Sequence, residues 1–318
     1  MKILLLGGQG FIGQNLAKKL VSEGHTVRVL ERKVNPDRII PNVEYVEGDF
    51  LDKSTYDNYL EGIDVVYHMI STTNANNSNN EMQRDVKDNI IGTIDLLDSC
   101  VKHNIKKVVF TSSGGTIYGI PQEVPIKENH PKKPICSYGI TKLTIEKYLS
   151  LYKHLYNLDY TVLRLSNPYG PYHQSLTQGL INVILYKAIN NEEVEIWGDG
   201  KVERDYIYID DTVDALSLVK DIETEEKVFN IGSGQSHSIC DIIDEVEKIA
   251  GKDIKRVFKP SRSQDVPINV LDITLAKEVL GWEPKVGIEE GIKNTYQYQL
   301  SKLFSDEEVK HIEKIKKW

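Results

Sequence analysis

The chain has 318 residues, of which 40% are hydrophobic and 27% charged, and its net charge is −8. That length can bury one large α/β unit or two closely joined domains. The acidic balance argues against nucleic acid as a partner, because nothing neutralises a phosphate backbone, although two or three placed arginines could still hold a diphosphate.

The start, MKILLL, has an apolar run that stops at Gly7-Gly8. It is too short for a signal peptide, and no stretch approaches transmembrane length, so no membrane is expected. Cys100, Cys136 and Cys240 form no CxxC pair and have no metal-ligand spacing. They read as reduced thiols of a cytoplasmic protein without a metal.

The first half alternates β-branched runs with helical stretches. KILLLG (2–7), TVRVLE (26–31), VEYVEGD (43–49), VVYHMI (65–70), KVVFTS (107–112) and YTVLRL (160–165) read as strands, with helices over 12–22, 84–103 and 137–156 between them. This rhythm predicts an α/β fold, a doubly wound parallel sheet with ligands at the carboxyl ends of its strands. From about 167 the rhythm weakens, and residues 167–318 read as a smaller, mainly substrate-binding region after a first domain over 1–166. Segments within about 205–235, such as VFNIGSG (228–234), are expected to return to the sheet. The polar run 74–81 reads as a mobile loop, and a capping box at Ser305 and Glu308 predicts a terminal helix over 305–318.

After the first strand, Gly7, Gly10 and Gly13 form G-x-x-G-x-x-G, with Phe11 and Ile12 opening the following helix. Such glycines allow a tight turn and close approach of a dinucleotide's pyrophosphate to a helix N-terminus. Glu31 ends the second strand, where a carboxylate suits the adenosine ribose and disfavours a 2′-phosphate. Arg32 beside it could pair with that phosphate, so NAD is favoured with NADP left open. Asp49, with Phe50 after it, could reach the adenine or simply cap a helix.

Tyr138 and Lys142 form a YxxxK motif on one helical face, from which the ammonium is expected to favour the phenolate. Tyr298 and Lys302 repeat the spacing without a strand ending in serine before them, and read as a surface pair. The strand before Tyr138 ends in Ser112-Ser113, which brings a hydroxyl towards the same site.

GGQGFIG, SSGGTIYG (112–119), YGITK, LRLSNPYGP (163–171), WGDGKVERDYIYIDD (197–211) and the segment 262–272 together resemble the extended short-chain dehydrogenase/reductases, in particular the NAD-dependent epimerase/dehydratase family of the UDP-galactose 4-epimerase type. The resemblance covers nearly the whole chain. It implies a Rossmann-type domain, bound NAD, and transient oxidation of a UDP-sugar at C4. It further implies that Tyr138 is the acid/base, that Lys142 also bonds the nicotinamide ribose, and that Ser113 polarises the sugar hydroxyl, with Ser112 and Thr116 as alternatives. Arg204 and Arg262 match arginines that bind the diphosphate, and Asn167 a sugar- or phosphate-binding asparagine that could equally be a turn residue. By analogy, the helices over 84–103 and 137–156 pair with a second subunit in a homodimer.

Two positions depart from the family. His68-Met69-Ile70-Ser71 replaces a small-residue pair, placing bulk and the Ser71 hydroxyl beside the nicotinamide, with His68 itself structural. Asn269 stands where a bulky tyrosine restricts relatives to plain hexoses, so UDP-N-acetylhexosamines become plausible substrates. Ser113-Gly114-Gly115 supplies no carboxylate for a 4,6-dehydratase or a decarboxylase. A UDP-glucuronate 4-epimerase and a non-catalytic NAD sensor stay open as alternatives.

Overall fold

The computed structural model describes residues 1–173, 175, 178–261 and 266–315, with side chains to residue 303. Strand β1 (Lys2–Leu6) is apolar from Ile3 on because both its faces are covered there. Ile3 and Leu5 enter one core, and Leu4 and Leu6 the other. There follow α1 (Phe11–Ser22), β2 (Thr26–Glu31), β3 (Val43–Glu47), α2 (Tyr56–Leu60) and β4 (Val65–His68). A continuous helical stretch comes next, made of α3 (Met82–Asp85), a π-helical turn (Val86–Ile91) and α4 (Gly92–Lys102). After it come β5 (Lys107–Ser113), α5 (Ser137–Tyr156) and β6 (Asp159–Leu165).

The main sheet has seven strands in the order β10-β6-β5-β4-β1-β2-β3, where β10 is Val228–Ile231. All six pairings are parallel. This is the Rossmann-type, doubly wound sheet expected from the alternation of strand and helix. The chain reverses direction between β1 and β4, and ligands of such sheets sit outside that switch point.

The remaining elements build a smaller region beside the carboxyl ends of the strands. Strand β7 (Asn167–Tyr169) joins β9 (Glu203–Tyr208), β11 (Ser236–Ser238) and β13 (Ile268–Asn269) in a four-stranded sheet. Strand β8 (Val194–Trp197) pairs with β12 (Arg256–Lys259). Helices α6 (Leu180–Ile189) and α8 (Ile239–Ala250) pack together, while α7 (Ile209–Leu218) goes back to lie against α1.

Two expectations fail. Helix α9 (Ile288–Ile315) runs through residue 305, so Ser305 starts no helix. No glycine or proline interrupts 292–304, and the turns before Ser305 simply continue. The polar run 74–81 is held in place: it folds into a short 3₁₀ turn (Ser78–Asn80) with Ser78 fully buried.

Beneath the carboxyl edge lies a buried ion pair. Arg164 on β6 donates to both carboxylate oxygens of Glu146 on α5, through Nε at 3.0 Å and Nη2 at 2.7 Å. Ser112 Oγ on β5 donates to the same carboxylate at 2.6 Å, and Arg164 Nη1 to the Tyr118 hydroxyl at 2.9 Å. This pair clamps α5 to two strands. Glu146→Ala would strand a buried guanidinium, and is expected to lower the unfolding free energy by about 3–5 kcal/mol in denaturant titration. A change below about 1 kcal/mol would contradict that role.

Candidate active site

The turn after β1 depends on close backbone approach. Gly7 has φ of 85°, and its carbonyl accepts from Gly10 N at 3.1 Å. A Cβ on Gly13 would run into that carbonyl and lie 2.6 Å from Gly8 Cα, so only glycine lets α1 start this near the strand. Gly10 caps α1 with no side-chain hydrogen bond. The first N–H groups of the helix, at Phe11 and Ile12, therefore face outward for an anion. Glu31 closes the turn from β2, its Oε1 accepting from Gln9 N at 2.6 Å. Burial raises its carboxyl pKa, countered by that N–H and by the charges of Arg38 and Arg32. Arg32 is exposed beside it.

Asp49 is exposed just after β3 and accepts from Leu51 N at 2.9 Å in an Asx turn. The side chain of Phe50 points the other way. It is 4% exposed, sits in the core against His68 at 5.2 Å between ring centroids, and offers a cofactor nothing but backbone.

His68 is buried, and its Nε2 donates to Thr93 Oγ1 at 2.8 Å, because the threonine's own proton goes to Asn89 O. Burial, then the nearby Lys142 charge, pushes its pKa down to about 3. It is a neutral structural ring. Ser71 is exposed, with Oγ donating to Thr73 O at 2.8 Å, a local turn that commits its hydroxyl.

Lys142 and Tyr138 stand one turn apart on α5. Lys142 Nζ reaches under the edge of the sheet and donates to Thr111 O at 2.9 Å. It lies 4.6 Å from the Phe110 ring centroid and 5.5 Å from that of Tyr138. Burial lowers its pKa to about 8, against the raising effects of Asp85 and Glu146. The phenol of Tyr138 is raised above its ordinary range, first by burial and then by Cys136 and Asp85. The expected phenolate is thus not produced by the lysine alone, since desolvation costs the anion more than an ammonium at this distance returns.

Two contacts outside the YxxxK motif hold the start of this helix. Ser137 N donates to Asn79 Oδ1 at 2.8 Å and Tyr138 N to Ser78 Oγ at 3.0 Å, so the polar loop caps α5. Gly139 allows the Thr116 backbone to press on the helix, since a Cβ there would lie 2.8 Å from Thr116 O.

Beside Tyr138 is a cleft of about 820 Å³, lined also by Ser113, Thr116, Asn76, Asn167 and Arg204. Of the three hydroxyl candidates, Ser112 is withdrawn into the Glu146 pair. Ser113 lines the cleft, as does Thr116, whose Oγ1 is buried without a protein partner. Asn167 Nδ2 donates to Asp205 O at 2.8 Å, and Arg204 Nη1 to Val266 O at 2.6 Å. Arg262 lies outside the described residues. Asn269 pairs with Arg204 across β13 and β9, but is 1% exposed and donates through Nδ2 to Gly114 O at 3.2 Å. It forms the back of the wall instead of projecting from it.

The glycine turn and the Tyr138 cleft share one edge of the sheet, at the ends of β1 and β5 with β4 between. Two strand spacings, about 10 Å, separate them. A dinucleotide with its pyrophosphate on α1 can bring its other end to Tyr138. The outward N–H groups, the glycine cradle and Glu31 fit such a cofactor. His173, which no motif singled out, stacks on Phe11 at 4.5 Å and 12° between planes beside the turn. The Tyr298–Lys302 repeat lies on α9, with Tyr298 tilted against Tyr172 at 5.1 Å between ring centroids. Among the described residues no His, Cys, Asp or Glu group could hold a metal, and no helix is long and apolar enough to cross a membrane.

Comparison with known proteins agrees with this geometry. The model of the NAD dependent epimerase/dehydratase family matches residues 3–232. The UDP-glucose 4-epimerase of Mycolicibacterium smegmatis is 30% identical over 94% of this chain and 98% of its own. A crystal structure of UDP-glucose 4-epimerase from Thermotoga maritima, with UDP-glucose, is 38% identical with a TM-score of 0.91, covering 95% of this chain and 100% of that one. A UDP-N-acetylglucosamine 4-epimerase from Methanobrevibacter ruminantium, in complex with UDP-N-acetylmuramic acid, is 26% identical with a TM-score of 0.88 over 95% and 98%.

Gly13→Ala tests the cradle. Nucleotide released on denaturing the purified variant should fall to less than about a tenth of the wild-type amount, because α1 can no longer approach the turn. Full retention of nucleotide would show that the cradle does not bind it.

Proposed function

The chain belongs to the NAD-dependent epimerase/dehydratase family, and we propose that it inverts C4 of a UDP-sugar by transient oxidation to the 4-keto sugar. The observation that carries this reading is one cleft holding Tyr138 and Ser113 with Asn167 and Arg204, on the same sheet edge as the dinucleotide cradle.

Bound NAD supplies the acceptor and later the donor of the C4 hydride, and its oxidised ring adds the positive charge that favours a phenolate. Tyr138 takes the proton of the C4 hydroxyl and returns it after the keto sugar has turned over. Ser113 holds that oxygen in line with the phenol, with Thr116 beside it. Lys142, fixed on Thr111 O, keeps an ammonium next to the tyrosine and towards the nicotinamide ribose. Arg204 and Asn167 hold the diphosphate end, with Arg262 as the second arginine. Glu31 takes the adenosine ribose and Asp49 the adenine.

Among the described residues no carboxylate lines the cleft beside Tyr138, which disfavours a dehydratase or decarboxylase. Asn269, drawn back onto Gly114, leaves the sugar wall without bulk. UDP-N-acetylhexosamines are therefore read as substrates beside UDP-glucose and UDP-galactose. Three unpaired cysteines fit action in the cytoplasm.

A homodimer is part of the same reading. Ile140, Leu151 and Leu155 project from one face of α5, the last 55% exposed, and Val86 and Ile91 are exposed on the helical stretch packed beside it. Such an apolar stripe suits a second copy. Leu151→Glu with Leu155→Glu should yield monomers in sedimentation velocity, whereas an unchanged sedimentation coefficient would remove this face from any interface.

Tyr138→Phe should reduce turnover by about 10²–10⁴-fold while the protein keeps its NAD. Assays with UDP-glucose, UDP-N-acetylglucosamine and UDP-glucuronate, scored for C4 inversion, should show conversion of the first two. Conversion of UDP-glucose alone would overturn the open-wall reading, conversion of the glucuronate alone would move the substrate to uronic acids, and no conversion together with no bound NAD would sink the enzyme reading.

A further inference from the structure

Asp85 ends α3 and is fully buried, yet no cation pairs with it among the described contacts. Four neutral donors satisfy it instead. Its Oδ2 accepts from Ser137 Oγ at 2.6 Å and Thr141 Oγ1 at 2.9 Å, and its Oδ1 from Thr73 Oγ1 at 2.5 Å and Asn89 Nδ2 at 2.9 Å. Ser137 and Thr141 directly precede Tyr138 and Lys142 in the sequence.

We propose that Asp85 is a positioning residue for the Tyr138–Lys142 pair, its carboxylate fixing the rotation and depth of α5 through Ser137 and Thr141. The proposal rests on the proton-transfer role given to that pair above.

Three observations support it. Burying a carboxylate is costly unless it is fully bonded, and an apolar residue packed here would serve stability at least as well. A charge kept in such a place points to work done on its neighbours. Next, the two bonds to α5 are one turn apart, so together they resist both rolling and sliding of the helix. Thr73 then ties the same carboxylate to the loop whose Asn76 lines the cleft. The π turn directly after Asp85 belongs to the same device. It puts Asp85 and Asn89 on one side, where Asn89 Nδ2 also reaches Thr72 Oγ1 at 3.1 Å.

The groups facing the pair are Asp85 from α3, Glu146 from the next turn of α5, neutral His68 from β4, and Cys136 before the helix. Of these, Asp85 acts on both members, holding the lysine charged and opposing the phenolate. Removing its charge must therefore move both ionisations to lower pH.

The test uses the NAD-loaded protein with Asp85→Asn. Turnover should fall about tenfold or more with KM within about threefold and NAD retained. The alkaline limb of the pH–rate profile should move to lower pH. So should the ionisation of Tyr138, read without turnover as the tyrosinate absorbance that Tyr138→Phe removes. Wild-type turnover with an unmoved Tyr138 ionisation would overturn the proposal. If the wild type converts no UDP-sugar while the Tyr138 ionisation still moves in Asp85→Asn, the positioning role stands and the epimerase reading falls. Should Asp85→Asn fail to fold, Ser137→Ala with Thr141→Val removes the two α5 donors. Reduced turnover with NAD retained would support the proposal there, and wild-type turnover would overturn it.

Discussion

The hydrogen bond from Lys142 Nζ to Thr111 O fixes the geometry on which the rest of the site depends. It joins the side chain of a helix to the backbone of β5 two residues before the strand ends, and so sets how far α5 stands above the sheet. Tyr138, one turn earlier, then has one place to be. Below this bond the Arg164–Glu146 pair clamps the same helix to β5 and β6, and above it Ser78, Asn79 and Asp85 hold its first turn. The helix carrying Tyr138 is thus restrained from its first turn to its middle, as alignment of a phenol with a sugar hydroxyl in the proposed reaction would demand.

The same arrangement explains why neither group is at its ordinary pKa. Burial lowers the lysine to about 8 and raises the tyrosine, so the ammonium is weakened and the phenol keeps its proton. A phenolate then needs a further positive charge beside it, which an oxidised nicotinamide would supply. In the proposed reaction, proton abstraction would in this way be tied to the presence of a cofactor able to take the hydride. Asp205 ties together the smaller region that carries Arg204 and Asn269. Its buried carboxylate accepts from Ser233 N at 2.7 Å and Leu271 N at 3.3 Å, drawing together the strands that carry Arg204 and Asn269.

Much of this was legible in the residues themselves. KILLLG can only be a strand covered on both faces, and a glycine wherever α1 meets the turn follows from the contact Gly13 makes with Gly7 and Gly8. VFNIGSG carried enough β-branched and apolar character to mark the strand that lies against β6. What escaped depended on distant partners. Asp85 looks like any acidic residue in an exposed helix, and its burial arises only when Thr73 arrives from a loop and Ser137 from the start of α5. Asn74–Asn80 has the composition of a mobile loop, because nothing local announces that Ser78 and Asn79 will cap a helix 60 residues away. Phe50 and Ser71 sit at positions matched to ligands, but their side chains turn to His68 and to a backbone carbonyl. Ser305 failed for the opposite reason. A good local cap signal was overridden by a helix already under way.

Transient oxidation makes two demands together: the hydrogen that leaves C4 must return to the same carbon without exchange with water, and inversion must require the dinucleotide. UDP-[4-²H]glucose and its 2-acetamido analogue, incubated with the protein in ordinary water, should give the C4 epimer with deuterium retained at C4. Loss of the label to solvent during inversion, or inversion by protein freed of NAD, would contradict the account.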